Sequence, residues 1–181
     1  MKANHWYKFS FKSRPSSIFV YDSNFDQVIL IILFLLHWYF SLFCQSFFLH
    51  RYAAHQMFVM NPYWEKFFYF FTWLWQGSSY LSPRAYAILH RMHHAYSDTP
   101  QDPHSPHHTE NLFSMMWKTK NIYNDYFSFK LKPEDRFSKD IPDWNKFDRF
   151  ADSMLVRLAW GIFYVSIYIA CISYFELAGN G

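Results

Sequence analysis

Charge is scarce in this 181-residue chain, with only 17% of positions occupied by Asp, Glu, Lys or Arg. Its basic residues never gather into a run, and the net charge is a modest +3, so a nucleic-acid surface is not expected. Cysteine is nearly absent. Cys44 and Cys171 are the two there are, both lie in apolar stretches, and no CxxC is present. They read as small buried hydrophobes rather than a disulfide. The opening MKANHWYKFSFKSRPSS lacks the apolar core and small-residue cleavage site of a secretory leader, so membrane targeting is expected to rest on apolar spans. Repeats and low-complexity tracts are missing too.

What the chain has instead is aromatic residues, 24% of the total. That share is high for a soluble domain, and membrane proteins place such rings at the interface and along apolar faces. A mean hydropathy of −0.18 rules out burying the whole chain in lipid, so the apolar residues must be concentrated in segments.

Residues 28–49, VILIILFLLHWYFSLFCQSFFL, carry no charge and match the roughly 20 residues a helix needs to span a bilayer. His37 lies inside this span and reads as a packed or interfacial histidine. A second span is expected over 154–177, with Arg157 near one end. Between them, 64–81 is aromatic-rich but begins with Glu65 and Lys66 and ends in Gly77-Ser78-Ser79. The polar stretch 82–152 holds most of the Lys and Arg, which favours the cytoplasmic side for it. The expected architecture is therefore an all-α integral membrane protein with a histidine-lined cytoplasmic cap over 28–181, preceded by an arm over 1–27.

Three histidine clusters stand out: His50-Arg51-Tyr52-Ala53-Ala54-His55, His90-Arg91-Met92-His93-His94 and His104-Ser105-Pro106-His107-His108. At about 100° per residue, the second puts His90, His93 and His94 on one third of a helix. Three imidazoles converging on one patch are best explained by a cation between them, and neutral imidazole suits iron, copper, zinc or nickel. His50 and His55 lie about 140° apart on an ideal α-helix, so they converge only if the helix frays or ends there. Pro103 and Pro106 forbid a regular helix through the third cluster, which reads as a solvated loop. Of its members, His104 is the best placed for a supporting task.

Both metal clusters must lie on one side of the membrane. Residues 56–89 separate them, fewer than the roughly 40 that two full crossings need. Segment 64–81 is thus expected to dip into the membrane or lie along its surface, walling a site for a long apolar ligand.

HRYAAH, HRMHHAYSDT and DPHSP together resemble the first two histidine boxes of the membrane fatty acid desaturases, and the form of box one resembles the acyl-CoA Δ9-type branch. The similarity runs from about His37 to Trp160. The resemblance implies two non-haem irons held by histidines, O₂ as co-substrate and a cis double bond introduced into a long acyl chain. It also implies electrons from a cytochrome b5-, ferredoxin- or rubredoxin-like carrier. Carried over by position, His50, His55, His90, His93 and His94 would be iron ligands, with Asp98 orienting one ring from behind. Gln76-Gly77-Ser78 resembles a stretch that lies near the acyl channel in the family, so Gln76 and Gly77, with Trp73 and Tyr80, are the expected channel residues. The family's third HxxHH box has no counterpart after His108, so an incomplete or truncated desaturase is expected. A membrane di-iron hydroxylase and an inactive metal-binding relative are the alternatives. A soluble ferritin-like enzyme is set aside because there is no Glu-x-x-His pair.

Overall fold

The computed structural model describes residues 23–179, whose regular elements are all helical with no strand among them; up to residue 22, the expected arm lies outside the described residues. Helix α1, Ser23–Phe43, runs without a break into a π-helical segment, Cys44–Ala54. Together they supply a candidate membrane-spanning stretch over Leu30–Ala54, whose apolar 18-residue window is only 6% buried inside the protein. After α2 (Pro62–Gln76), α3 (Pro83–Tyr96), α4 (Leu112–Phe127) and the short α5 (Asp135–Ser138) and α6 (Asn145–Ala151), α7 (Met154–Gly179) supplies the second candidate span, Met154–Cys171, with none of it buried. So much exposed apolar surface requires hydrocarbon around it rather than water. The first span ends and the second begins beside the histidine clusters, so residues 55–153 form a cap at one end of the pair.

Helix α2, Pro62–Gln76, begins where Asn61 accepts the Trp64 N–H at 3.0 Å, with Pro62 at its first position and Glu65 in its first turn. It then turns back along the first span. Phe47 meets Phe68 at 5.1 Å, Phe40 meets Trp75 at 4.6 Å and His37 meets Trp75 at 5.9 Å between ring centroids. This antiparallel stack carries α2 back to the level of mid-span His37, so the aromatic segment dips into the membrane. Its outer face, with Tyr63, Trp64, Phe67 and Phe70 exposed, is left for lipid. Tyr52 donates a hydrogen bond to Glu65 and ties the two elements at the cap end.

The dip ends at Gly77. Its φ of +52° is a conformation that L residues rarely adopt, and a Cβ there would collide with the Tyr164 hydroxyl of α7. Arg157 then clamps the turn, donating to the Ser78 and Tyr80 carbonyls and pairing with Asp152. Helix α3, Pro83–Tyr96, starts from Ser82, which caps it by accepting the Ala85 N–H. The Ser82 hydroxyl donates to Asp148 Oδ2 and the Tyr80 hydroxyl to Asp148 Oδ1, both at 2.6 Å. Asp148 belongs to α6, Asn145–Ala151, and burial pushes its carboxyl up to about 6 against the lowering pull of those two hydroxyls.

Two packing clusters fix the cap. Ala85, Ile88 and Leu89 of α3 bury against Tyr123 and Tyr126 of α4, Leu112–Phe127, and against Phe137 of α5, Asp135–Ser138. Phe48, Leu49 and Tyr69 form the second and are wholly buried. Removing a Phe or Leu side chain of this kind from water contributes about 1.5–3 kcal/mol.

Candidate metal centre

The π segment meets α3 through alanines. Ala53, Ala54 and Ala87 are all buried in one contact, and side chains this small let two helical backbones approach closely. Arg91 strengthens the seam. Its guanidinium donates to the Ala54 carbonyl at 2.7 Å and the Ala53 carbonyl at 3.3 Å, and to the Lys139 carbonyl at 2.8 Å. Those first two carbonyls belong to the last turn of the π segment, where backbone acceptors lack helical partners. The arginine inside box two thus docks the end of box one.

Box one converges by a route the sequence reading did not include. The helix neither frays nor ends between His50 and His55; it widens. The His55 N–H reaches the His50 carbonyl at 3.0 Å, an i→i+5 bond, and so brings residues five apart onto one face. Their ring centroids lie 4.5 Å apart. The segment then closes at Gln56, left-handed at φ 51°, where the Met57 N–H returns to the Arg51 carbonyl at 3.0 Å.

Box two arrives on a regular α-helix, and the rings meet. His50, His55 and His90 offer ligand nitrogens all within 4.8 Å of one another. His90 Nε2 lies 3.0 Å from His55 Nε2 and 3.0 Å from His94 Nε2. One imidazole nitrogen has either one proton to give or one lone pair to accept with, so it cannot make two such hydrogen bonds at once. A cation accounts for the contacts. Nitrogens about 2.1 Å from one ion and at right angles to each other stand about 3.0 Å apart. The residues present therefore fit a metal.

Electrostatics keeps the rings ready for one. Burial lowers His90, and repulsion from His50, His94, His55 and His93 lowers it further, to about 4. His55 is lowered by burial and by His50, His94 and Arg91. Near neutral pH these imidazoles are unprotonated, the state in which they can act as ligands.

His93 stands apart from the group of four. Its Nδ1 lies 2.9 and 3.0 Å from the two carboxylate oxygens of Asp102, a wholly buried residue. The carboxylate behind box two is thus Asp102, and the expectation of Asp98 needs correction. Asp98 turns the chain at the end of α3 with φ 58°, its carboxylate receives the Ser105 hydroxyl at 3.3 Å, and His107 Nε2 lies 3.7 Å away. Aspartate tolerates the left-handed turn, and that turn aims the side chain away from the box.

The third cluster scatters. His104 Nδ1 pairs with Thr119 Oγ1 at 3.1 Å, and His108 Nε2 with the Asp98 carbonyl at 2.8 Å. His107 and His108 lie in a 3₁₀ turn, Pro106–His108.

A groove of about 920 Å³ opens beside box two, between α3, α4 and the start of α7. His90, His93 and His104 share its wall with Leu81, Tyr86, Leu89, Met116, Tyr123 and Met154. None of the four expected channel residues lines it. Trp73 packs against Trp160 at 5.4 Å, and Tyr80 is buried on Asp148. Gln76 donates to Gln45 Oε1 at 3.1 Å, and Gly77 lies under Tyr164. The aromatic and glycine signals mark the packed base of the dip rather than an open wall. In that base the Gln76 Oε1, Trp75 Nε1 and Tyr164 hydroxyl are buried without partners.

Compared with known proteins, the chain matches the family model described as fatty acid desaturase over residues 27–178. No curated protein matches it. No solved structure matches it either.

Proposed function

We propose, given that this chain belongs to the fatty acid desaturase family, that it introduces a cis double bond into a long acyl chain, acyl-CoA in the Δ9-type manner, at an iron centre. The observation that carries this reading is the approach of both His55 Nε2 and His94 Nε2 to the single His90 Nε2 at 3.0 Å. His50, His55, His90 and His94 would hold one iron, and His93 would turn its remaining nitrogen to a second. Iron with O₂ supplies, when bound, the oxidising power that an unactivated C–H bond demands and that acid–base groups lack.

The chain's own residues do the rest. The Ala53–Ala54–Ala87 seam and Arg91 hold the two boxes in register. The groove beside box two, lined by Leu89, Met116, Tyr123 and Met154, is the surface that best fits an acyl chain, since it is apolar and has box histidines in its wall. Basic residues over 82–152 favour the cytoplasmic side for the cap, where a cytochrome b5-, ferredoxin- or rubredoxin-like carrier could deliver electrons.

Expression in cells lacking their own desaturase tests the proposal, with acyl chains analysed by mass spectrometry. New cis-monounsaturated chains, lost on His90→Ala, are the expected result. Hydroxylated chains alone would shift the assignment to a hydroxylase, and an unaltered acyl profile would count against both.

A further inference from the structure

Asp102 is wholly buried, although an unpaired buried carboxylate is among the costliest groups a fold can carry. Each carboxylate oxygen receives a backbone donor. Oδ2 receives the Asp98 N–H at 3.0 Å, Oδ1 receives the His104 N–H at 2.8 Å, and His93 Nδ1 sits almost evenly between the two oxygens. Both oxygens already accept backbone N–H groups, so the carboxylate turns lone pairs toward His93, and the ring nitrogen set between them is the one that carries a proton. His93 is therefore fixed with its proton on Nδ1 and its lone pair on Nε2.

The two backbone amides alone would make Asp102 a staple for the loop between α3 and α4. A staple needs no third donor, and it does not explain why His93 is spread across both oxygens. The neighbours of His93 complete the case. His94 and His90 turn toward the shared cluster with box one, whereas His93 lies on the groove wall with its Nδ1 already taken. Among the described residues, the neighbouring rings of His104 and His94 stand 6.1 and 5.9 Å away between centroids, too far to choose its tautomer.

We infer that Asp102 is a positioning residue, which fixes the Nδ1-protonated tautomer of His93 and aims its Nε2 into the groove as a metal ligand of raised basicity. The inference rests on the metal reading above for its consequence, though not for the tautomer itself. A carboxylate behind a ligating imidazole orients the ring and increases its donor strength, and its loss typically costs 10–100-fold in metal affinity. In Asp102→Asn one amide N–H₂ must face a backbone N–H, so the ring loses both its charge partner and its aim.

Two measurements on the full-length chain in detergent decide the matter. The first is long-range ¹H–¹⁵N NMR of imidazole-labelled, metal-free protein at about pH 8, where a histidine ring is neutral, with His93 assigned by its disappearance in His93→Gln. A proton on Nδ1 is expected, and a proton on Nε2 overturns the inference whatever the metal does. The second is anaerobic Fe²⁺ titration of the wild type, Asp102→Asn and His93→Gln, each checked for an unchanged helical circular dichroism signal. Affinity should fall about 10–100-fold in Asp102→Asn, toward the His93→Gln value. Folded Asp102→Asn that binds Fe²⁺ as the wild type does would overturn the role. If the wild type binds no Fe²⁺, the metal reading fails by itself, and the NMR result still decides the tautomer.

Discussion

His90-Arg91-Met92-His93-His94 and His104-Ser105-Pro106-His107-His108 have the same His-x-x-His-His spacing and differ in almost everything that follows from it. The first lies in the last two turns of α3, whose start is capped by Ser82 and whose inner face is buried against α4 and α5. Its rings meet those of box one. The second contains a proline, and its rings bond to Thr119, sit near Asp98, and bond to the Asp98 carbonyl. Spacing becomes a site only where the backbone beneath it has the matching period. Box one makes the same point from the other side, because a five-residue spacing that an α-helix would splay is gathered by a π-helix.

The largest expected effect falls on the shared nitrogen. His90→Ala should weaken Fe²⁺ binding by more than about 100-fold, beyond the 10–100-fold of losing a supporting partner, as isothermal titration of the detergent-solubilised protein would read. Arg91→Ala comes next, because it strips donors from the Ala53 and Ala54 carbonyls and frees the end of box one. Unsatisfied backbone acceptors cost about 1–3 kcal/mol, so affinity should fall about tenfold. Arg91→Lys should recover only part, since one ammonium cannot reproduce the guanidinium fork.

Asp148 tests the start of α3, which sets where box two falls. Asp148→Ala leaves the Tyr80 and Ser82 hydroxyls buried without an acceptor and should destabilise the cap by about 2–4 kcal/mol, seen as a lower midpoint in thermal unfolding. Asp148→Asn keeps most of the bonding and should change the pH dependence instead. The native carboxyl is raised to about 6 from 3.8, so the folded state binds the proton more tightly than the unfolded state. This group's stabilising contribution is full below about pH 4 and is lost as pH rises through about 6. The asparagine variant should lack that slope over the same interval. A slope of unchanged size would mean that another group carries it.

At the small end, His107→Ala should leave Fe²⁺ affinity within about twofold and stability within about 0.5 kcal/mol, as at most exposed positions. Loss of metal there would mean that the second His-x-x-His-His segment does form a site.

Much of this was legible in the chain itself. The uncharged run before box one gave the first span, the charge distribution gave the cap, and i, i+3, i+4 spacing put box two on one face. Too few residues between the boxes for two crossings left segment 64–81 either dipping into the membrane or lying along its surface, and the packing of α2 against the first span favours the dip. The π-helix was not legible, because Phe47-Phe48-Leu49-His50-Arg51-Tyr52-Ala53-Ala54 has no residue that forbids an ordinary α-helix. Its widening comes from tertiary contact, with the alanine seam on α3 and Arg91 at its end. Choosing Asp102 over Asp98 required knowing that Asp98 takes a left-handed φ, which turns its side chain outward. The four expected channel residues lie away from the groove for a related reason. Gly77 and the tryptophans mark a tight, aromatic turn, and a turn of that kind can as easily be the floor of a fold as the wall of a cavity.

The most direct test is X-ray absorption spectroscopy on the detergent-purified chain after anaerobic loading with Fe²⁺ and desalting, alongside His90→Ala treated identically. The account predicts retained iron with a shell of imidazole nitrogens at about 2.1 Å in the wild type, and its loss in the variant. Wild-type protein that keeps no iron, or a variant that keeps the same iron in the same shell, would contradict it.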